Sequence, residues 1–150
     1  KYYEGYLTNG KPITEENIKA MLAEAEKGML DGTKWDESSF YNYGTRAFAG
    51  YTVHVACGAY AGGLSDYIFG KDAPVTKHQN FNNIKVGDIL WLQKGTWKHA
   101  VLVTGVRPTT DDSYMYTDGN SGGYVRWNGY GYVDDWTATQ KAESYVYSRY

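Results

Sequence analysis

Two apolar runs, Ile89–Leu92 and His99–Val106, flank the polar stretch Gln93–Lys98, and this pairing constrains the chain more than any other feature. Each run is nearly continuous rather than alternating, which fits a strand covered on both faces, and the stretch between them reads as a turn. The two runs therefore form a hairpin at the middle of a sheet. Shorter strand signals follow at Tyr114–Thr117, Tyr124–Trp127 and Tyr145–Tyr150, so this half of the chain reads as an antiparallel meander. Helix signals come first and strand signals afterwards, which is the α+β order: N-terminal helices packed on a central antiparallel sheet. No repeat or shift of composition divides residues 1–150, which read as one domain with residues 1–13 as an N-terminal arm.

The first helix opens at Thr14, a good N-cap, with Glu15 and Glu16 at the positive end of the dipole and Ile13 able to staple against Ile18. Ile18, Met21, Leu22, Ala25 and Met29 share one face, and Gly32 is the expected stop. From Trp35 to Val55 the chain is aromatic and aperiodic, which reads as an ordered loop around a cleft. A second helix is expected from near Cys57 to Gly70. Its glycines, Gly58, Gly62 and Gly63, each cost about 1 kcal/mol relative to alanine, so it needs close packing on a sheet to form.

Charge and length narrow the function classes. The formal net charge is −2 with the basic residues scattered, which argues against a nucleic-acid partner. No apolar run approaches the roughly 18 residues of a membrane span. The chain opens on Lys1 rather than Met, which reads as a monomeric domain cut from a longer product. One cysteine and three irregularly spaced histidines do not make a zinc set, and Asp111, Asp112, Asp134 and Asp135 lack a calcium-loop pattern, so no metal or cofactor is expected.

That single cysteine, Cys57, has no partner for an internal disulfide and heads the second helix. A thiolate there gains from unpaired backbone N–H groups, from the helix dipole and from any nearby imidazolium, and the same N–H groups can serve a developing oxyanion. His99, at the mouth of an apolar strand, is the expected general base and acid. Asp118 and Asn120 are the candidates to orient its ring. If Val106 pairs with Asp111 across a loop from Arg107 to Thr110, His99 faces Asp118; a register two residues along sets it opposite Asn120. In either case both side chains share the His99 face, whereas an even register sends them through the sheet. His54 is a rival base in the loop entering the helix, and His78 reads as structural.

Cys57 at a helix start, the run Lys85-Val86-Gly87-Asp88-Ile89, the strand from His99, and Asp118-Gly119-Asn120 before Arg126-Trp127 resemble the CHAP and NlpC-type branches of the papain-like superfamily over about residues 54–130. The resemblance implies a papain-like fold with Cys57 as nucleophile, His99 as base and acid, and Asp118 and Asn120 where CHAP domains carry an acid and an asparagine. It implies a thiol-dependent amidohydrolase or peptidase acting on cell-wall peptide or peptidoglycan, at the surface of or secreted from a Gram-positive bacterium. Asp118 is one methylene shorter than the usual Glu, which leaves the orienting role open between Asp118 and Asn120. Ala56 stands where those domains have Gln, so the second oxyanion donor is unassigned. The competing readings are an inactive glycan- or peptide-binding module, with Trp97, Trp127 and Trp136 as a stacking surface, and an acyltransferase or transglutaminase-like enzyme using the same thiol.

Overall fold

The computed structural model describes residues 2–42 and 53–150, with side chains omitted at 40–42 and 53–55. The elements are α1 (Glu15–Gly28), β1 (Phe40–Asn42), β2 (Val53–Val55), α2 (Ala56–Phe69), β3 (Thr76–His78), β4 (Ile89–Lys94), β5 (Trp97–Val106), β6 (Ser113–Ser121), β7 (Tyr124–Tyr132), α3 (Ala138–Glu143) and β8 (Tyr145–Ser148). Single 3-10 turns lie at Phe81–Asn83 and Val133–Asp135. The architecture is α+β: three helices and a six-stranded antiparallel sheet in the order β3-β8-β4-β5-β6-β7, with β1 and β2 paired separately. No helix among the described residues is long and apolar enough to cross a membrane.

The two apolar runs occupy β4 and β5, the middle pair, where apolar side chains are buried on both faces of the sheet. Ile89 and Leu102 face the cluster built by α1 and α2, with Ile18, Phe69 and Val125. Leu90, Val101 and Val103 face a second cluster with Tyr114, Trp136 and Val146. The turn between the strands is tighter than expected: Lys94 pairs with Trp97, leaving only Gly95 and Thr96 to reverse the chain. The Lys85–Asp88 segment is also a turn, closed where the buried Asp88 Oδ2 accepts from the Lys85 N–H at 2.8 Å. Gly87 sits there at φ +92°, where an added Cβ would meet Phe69 at 2.9 Å.

Thr14 caps α1, its hydroxyl accepting from the Asn17 N–H at 3.1 Å, and Ile18, Met21 and Leu22 are buried as the pattern predicts. The helix stops at Gly28 rather than at Gly32. The reason is a competing claim on the next residues: Gly32 N–H bonds Val125 O, Val125 N–H bonds Thr33 O and Trp35 N–H bonds Gly123 O, so the segment runs beside β7. The expected loop from Trp35 to Val55 contains the short β1–β2 pair, with Tyr41 opposite His54; its residues 43–52 lie outside those described.

The β5–β6 hairpin departs from the register expected at its turn. Val106 pairs with Tyr114 rather than Asp111, because Ser113 gathers the connection: its Oγ accepts from the N–H groups of Thr109 and Thr110 and donates to Thr110 O. That alignment is even, the parity that would send Asp118 to the wrong face. A β-bulge between Val103 and Gly105 leaves Thr104 unpaired, and beyond it Val103 faces Tyr116 and Leu102 faces Thr117. Carried on toward the site, this odd register sets His99 opposite Asn120, the second of the two expected alignments.

Candidate active site

Cys57 is placed by a strand that turns into a helix with no linker. The joint is Ala56, a non-glycine residue at φ +52°, a conformation that costs an L-residue about 1 kcal/mol. Both of its backbone groups are held: its N–H donates to Ser39 O at 2.8 Å, and its carbonyl accepts from the Trp35 indole N–H at 2.8 Å. Trp35 in turn packs edge-on against Tyr60, one turn into α2, whose hydroxyl bonds Thr117 at 2.8 Å. The buried Gly58, Ala59, Ala61 and Gly62 let α2 press against β5 and β6, which carries its N-terminus to the His99 end of β5.

Three strands abreast supply the remaining groups. Nε2 of His99 on β5 lies 2.7 Å from Oδ2 of Asp118 on β6, and Asp118 pairs across the sheet with Arg126 on β7. Arg126 Nε donates to Oδ1 at 3.1 Å and its Nη2 to Oδ2 at 2.9 Å. The carboxylate is fully buried and the imidazole 21% exposed. An ionised carboxylate only accepts, so the Nε2 proton belongs to His99, and the other ring nitrogen, Nδ1, is left to hydrogen-bond the Cys57 side chain. The sulfur also receives the backbone N–H groups of Ala100 and Gly58.

These contacts move three protonation equilibria together. Burial alone raises the Cys57 thiol, but the His99 hydrogen bond and charge and the two N–H donors outweigh it and hold the thiol below its ordinary value. Burial likewise pulls the His99 imidazolium down, and the hydrogen bonds and charges of Asp118 and Cys57 overcome it, lifting the ring to about 9. Asp118 is lowered against its burial by His99 and Arg126. The arrangement favours a thiolate–imidazolium pair backed by a carboxylate, the state in which a thiol attacks a carbonyl.

Of the expected site residues, the structure brings Cys57, His99 and Asp118 into one hydrogen-bonded chain. Asn120 takes a left-handed turn at φ +60°, on the same strand and two residues past the carboxylate that reaches His99. His54 lies in β2, and its side chain is outside the described residues. His78 ends β3, where its Nδ1 accepts from the Asn80 N–H at 3.1 Å, a local turn contact. Among the described residues no group of three or more His, Cys, Asp or Glu is arranged to hold a metal ion. The stacking surface is corrected by burial: Trp127 and Trp136 are core residues, whereas Trp97 is 49% exposed with its ring centroid 6.4 Å from that of His99.

The sequence motif contains Arg126 only as half of the Arg126-Trp127 pair, with no role at the site, and gives Trp35 none. Arg126, rather than Trp127, stands opposite Asp118 because an irregularity between Tyr116 and Asp118 shifts the β6–β7 register by one residue. Trp35 signalled nothing beyond an aromatic in a loop. It also walls an apolar groove of about 450 Å³ beside α2, shared with Met29, Tyr60, Leu64, Tyr67 and Trp127 and separate from the three site residues. Comparison of the chain with family models, curated proteins and solved structures gave no match.

Proposed function

We propose that this domain is a papain-like cysteine amidohydrolase or peptidase that cleaves an amide through a thioester on Cys57, with cell-wall peptide as its substrate class. The observation that carries the reading is the His99 ring, hydrogen-bonded to the thiol on one side and to a fully buried carboxylate on the other. The Cys57 thiolate attacks the carbonyl carbon, and the oxyanion forms near the first N–H groups of α2. His99 gives its Nδ1 proton to the departing amine as the C–N bond breaks and the thioester forms. Water then attacks the thioester, its proton passing to His99 while Cys57 leaves as the thiolate, which returns the starting pair. Asp118 holds the Nε2 tautomer throughout without itself taking the proton.

Two measurements test this. Iodoacetamide should alkylate Cys57 in the folded protein at pH 6, where an ordinary thiol is almost wholly protonated. Purified peptidoglycan treated with the wild-type chain should release fragments that the Cys57→Ala variant does not, as read by mass spectrometry. A native protein inert to iodoacetamide at pH 6 would overturn the nucleophile; rapid alkylation with an untouched wall would overturn only the substrate class.

A further inference from the structure

On the hydrolase reading above, we propose that Arg126 is a positioning residue of this site, clamping the Asp118 carboxylate in the one orientation that presents Oδ2 to His99. An aspartate carboxyl group rotates readily about its last bond, and a single hydrogen bond to an imidazole does not stop it. Here both oxygens are taken: Oδ1 accepts from Nε, and Oδ2 accepts from Nη2 and from His99 Nε2 together. This is a fork on a carboxylate, the geometry that fixes a plane as well as a position and that a lysine ammonium does not reproduce.

The fork is itself held. Nη2 donates to the Tyr116 hydroxyl at 2.9 Å, and the guanidinium carbon lies 5.1 Å from the centroid of the same ring. Tyr116 and Asp118 lie on the same strand two residues apart, and Arg126 is Asp118's direct partner on the next strand, so backbone pairing sets all three. The carboxylate has no exposure to solvent, whereas the Arg126 side chain is 43% exposed. The groups facing Asp118 are His99 from β5, Arg126 from β7, Tyr116 from its own strand and Tyr60 from α2; the two tyrosines are neutral, and Asp31 adds a negative charge near Arg126. Among the described residues Arg126 is thus the one permanent cation at this carboxylate. Without it, a buried carboxylate held by an imidazole alone protonates more readily, the imidazolium loses its partner, and the thiolate loses its counter-charge.

The test follows the rate of Cys57 alkylation by iodoacetamide against pH, with the low-field Nε2 proton of His99 recorded by NMR, in wild type, Arg126→Gln and Arg126→Lys. Circular dichroism fixes the folded fraction of each. In Arg126→Gln the acid limb of alkylation should move up by about one pH unit, a roughly tenfold slower reaction at a pH on that limb, and the Nε2 resonance should broaden or vanish. Arg126→Lys restores the charge without the fork, so the limb should return toward wild type while the resonance stays broadened. Should the glutamine variant fail to fold, the lysine variant carries the test alone. Wild-type alkylation and a wild-type resonance in either folded variant would overturn the role and leave Arg126 merely structural. An unreactive Cys57 in the wild type would instead overturn the hydrolase reading.

Discussion

Asp118 Oδ2 lies 2.7 Å from Nε2 of His99, and the aspartate that makes this contact is wholly shielded from water. A buried carboxylate is tolerated when its lone pairs are taken, here by one imidazole and one guanidinium. The contact also gives the imidazole its fixed tautomer, and with it a working pH range.

Alkylation and hydrolysis should share an acid limb and part company above neutrality. The limb lies below the ordinary thiol value, because His99 and two N–H groups hold the thiolate. Hydrolysis should fall again through about pH 9, as His99 loses the proton it gives to the leaving amine, whereas alkylation needs no such proton and should persist. Stability follows the same proton. In wild type the lowered Cys57 thiol opposes this over the same window, so the contribution is read in Cys57→Ser: there the ring raised by Asp118 contributes stability that is complete below about pH 6.5 and is lost as the pH rises through its folded value, and Tm measured by calorimetry should decline accordingly.

Asp118→Asn should leave a folded domain with a disabled base. The amide removes the negative charge that helps raise the imidazole, so the His99 titration followed by NMR should move down from about 9. Turnover should drop by about 10²- to 10⁴-fold, the scale of losing the orienting member of a triad. A variant with wild-type turnover would show that Asp118 is not the residue that orients His99.

Gly119→Ala should be among the most disruptive small changes near the site. A Cβ there would lie 2.6 Å from both Trp35 Cδ1 and Tyr60 Cβ, and a shift of either ring strains a hydrogen bond, that of Trp35 to Ala56 or that of Tyr60 to Thr117. A loss of about 1 to 3 kcal/mol by denaturant unfolding is expected, with slower Cys57 alkylation in the fraction that stays folded.

Asp88 is a buried acid away from Cys57, His99 and Asp118. Burial pushes its carboxyl up to about 6 despite help from Ser148 and the Lys85 N–H, and its Oδ1 has no hydrogen-bond partner among the described residues. An acid raised on folding binds its proton more tightly in the native state, so its contribution to stability falls as the pH rises from about 4 through about 6. The stability of wild type relative to Asp88→Asn should therefore be higher at pH 4.5 than at pH 7.5. A pH-independent difference would show that the Asp88 carboxyl titrates normally.

Much of this was legible from pattern alone. Thr14 and the Ile18 face announced α1, and the apolar runs announced β4 and β5, because caps and periodicity are written locally. Cys57 at a helix start, with His99 at a strand mouth, was visible for the same reason. The short strands β1 and β3 and the six-residue α3 were not, since elements of three to six residues carry too few positions to show a period. Nor was the partner of His99 decided by sequence: Asp118 and Asn120 share a parity, and only the left-handed turn at Asn120 and the fork from Arg126 separate them. The hairpin was misaligned at its turn because one hydroxyl, Ser113, sets the connection by bonds that no hydropathy pattern records.

The surplus residue at Thr104 makes the site sensitive to counting. Continued without it, the pairing of Val106 with Tyr114 would set Leu102 against Asp118 and send the carboxylate away from the imidazole. Length changes between the His99 end and the tip of this hairpin should therefore obey an arithmetic of pairs. Two residues gained or lost on one strand keep acid and imidazole on one face of the sheet, and one residue sends them to opposite faces unless a second irregularity absorbs it.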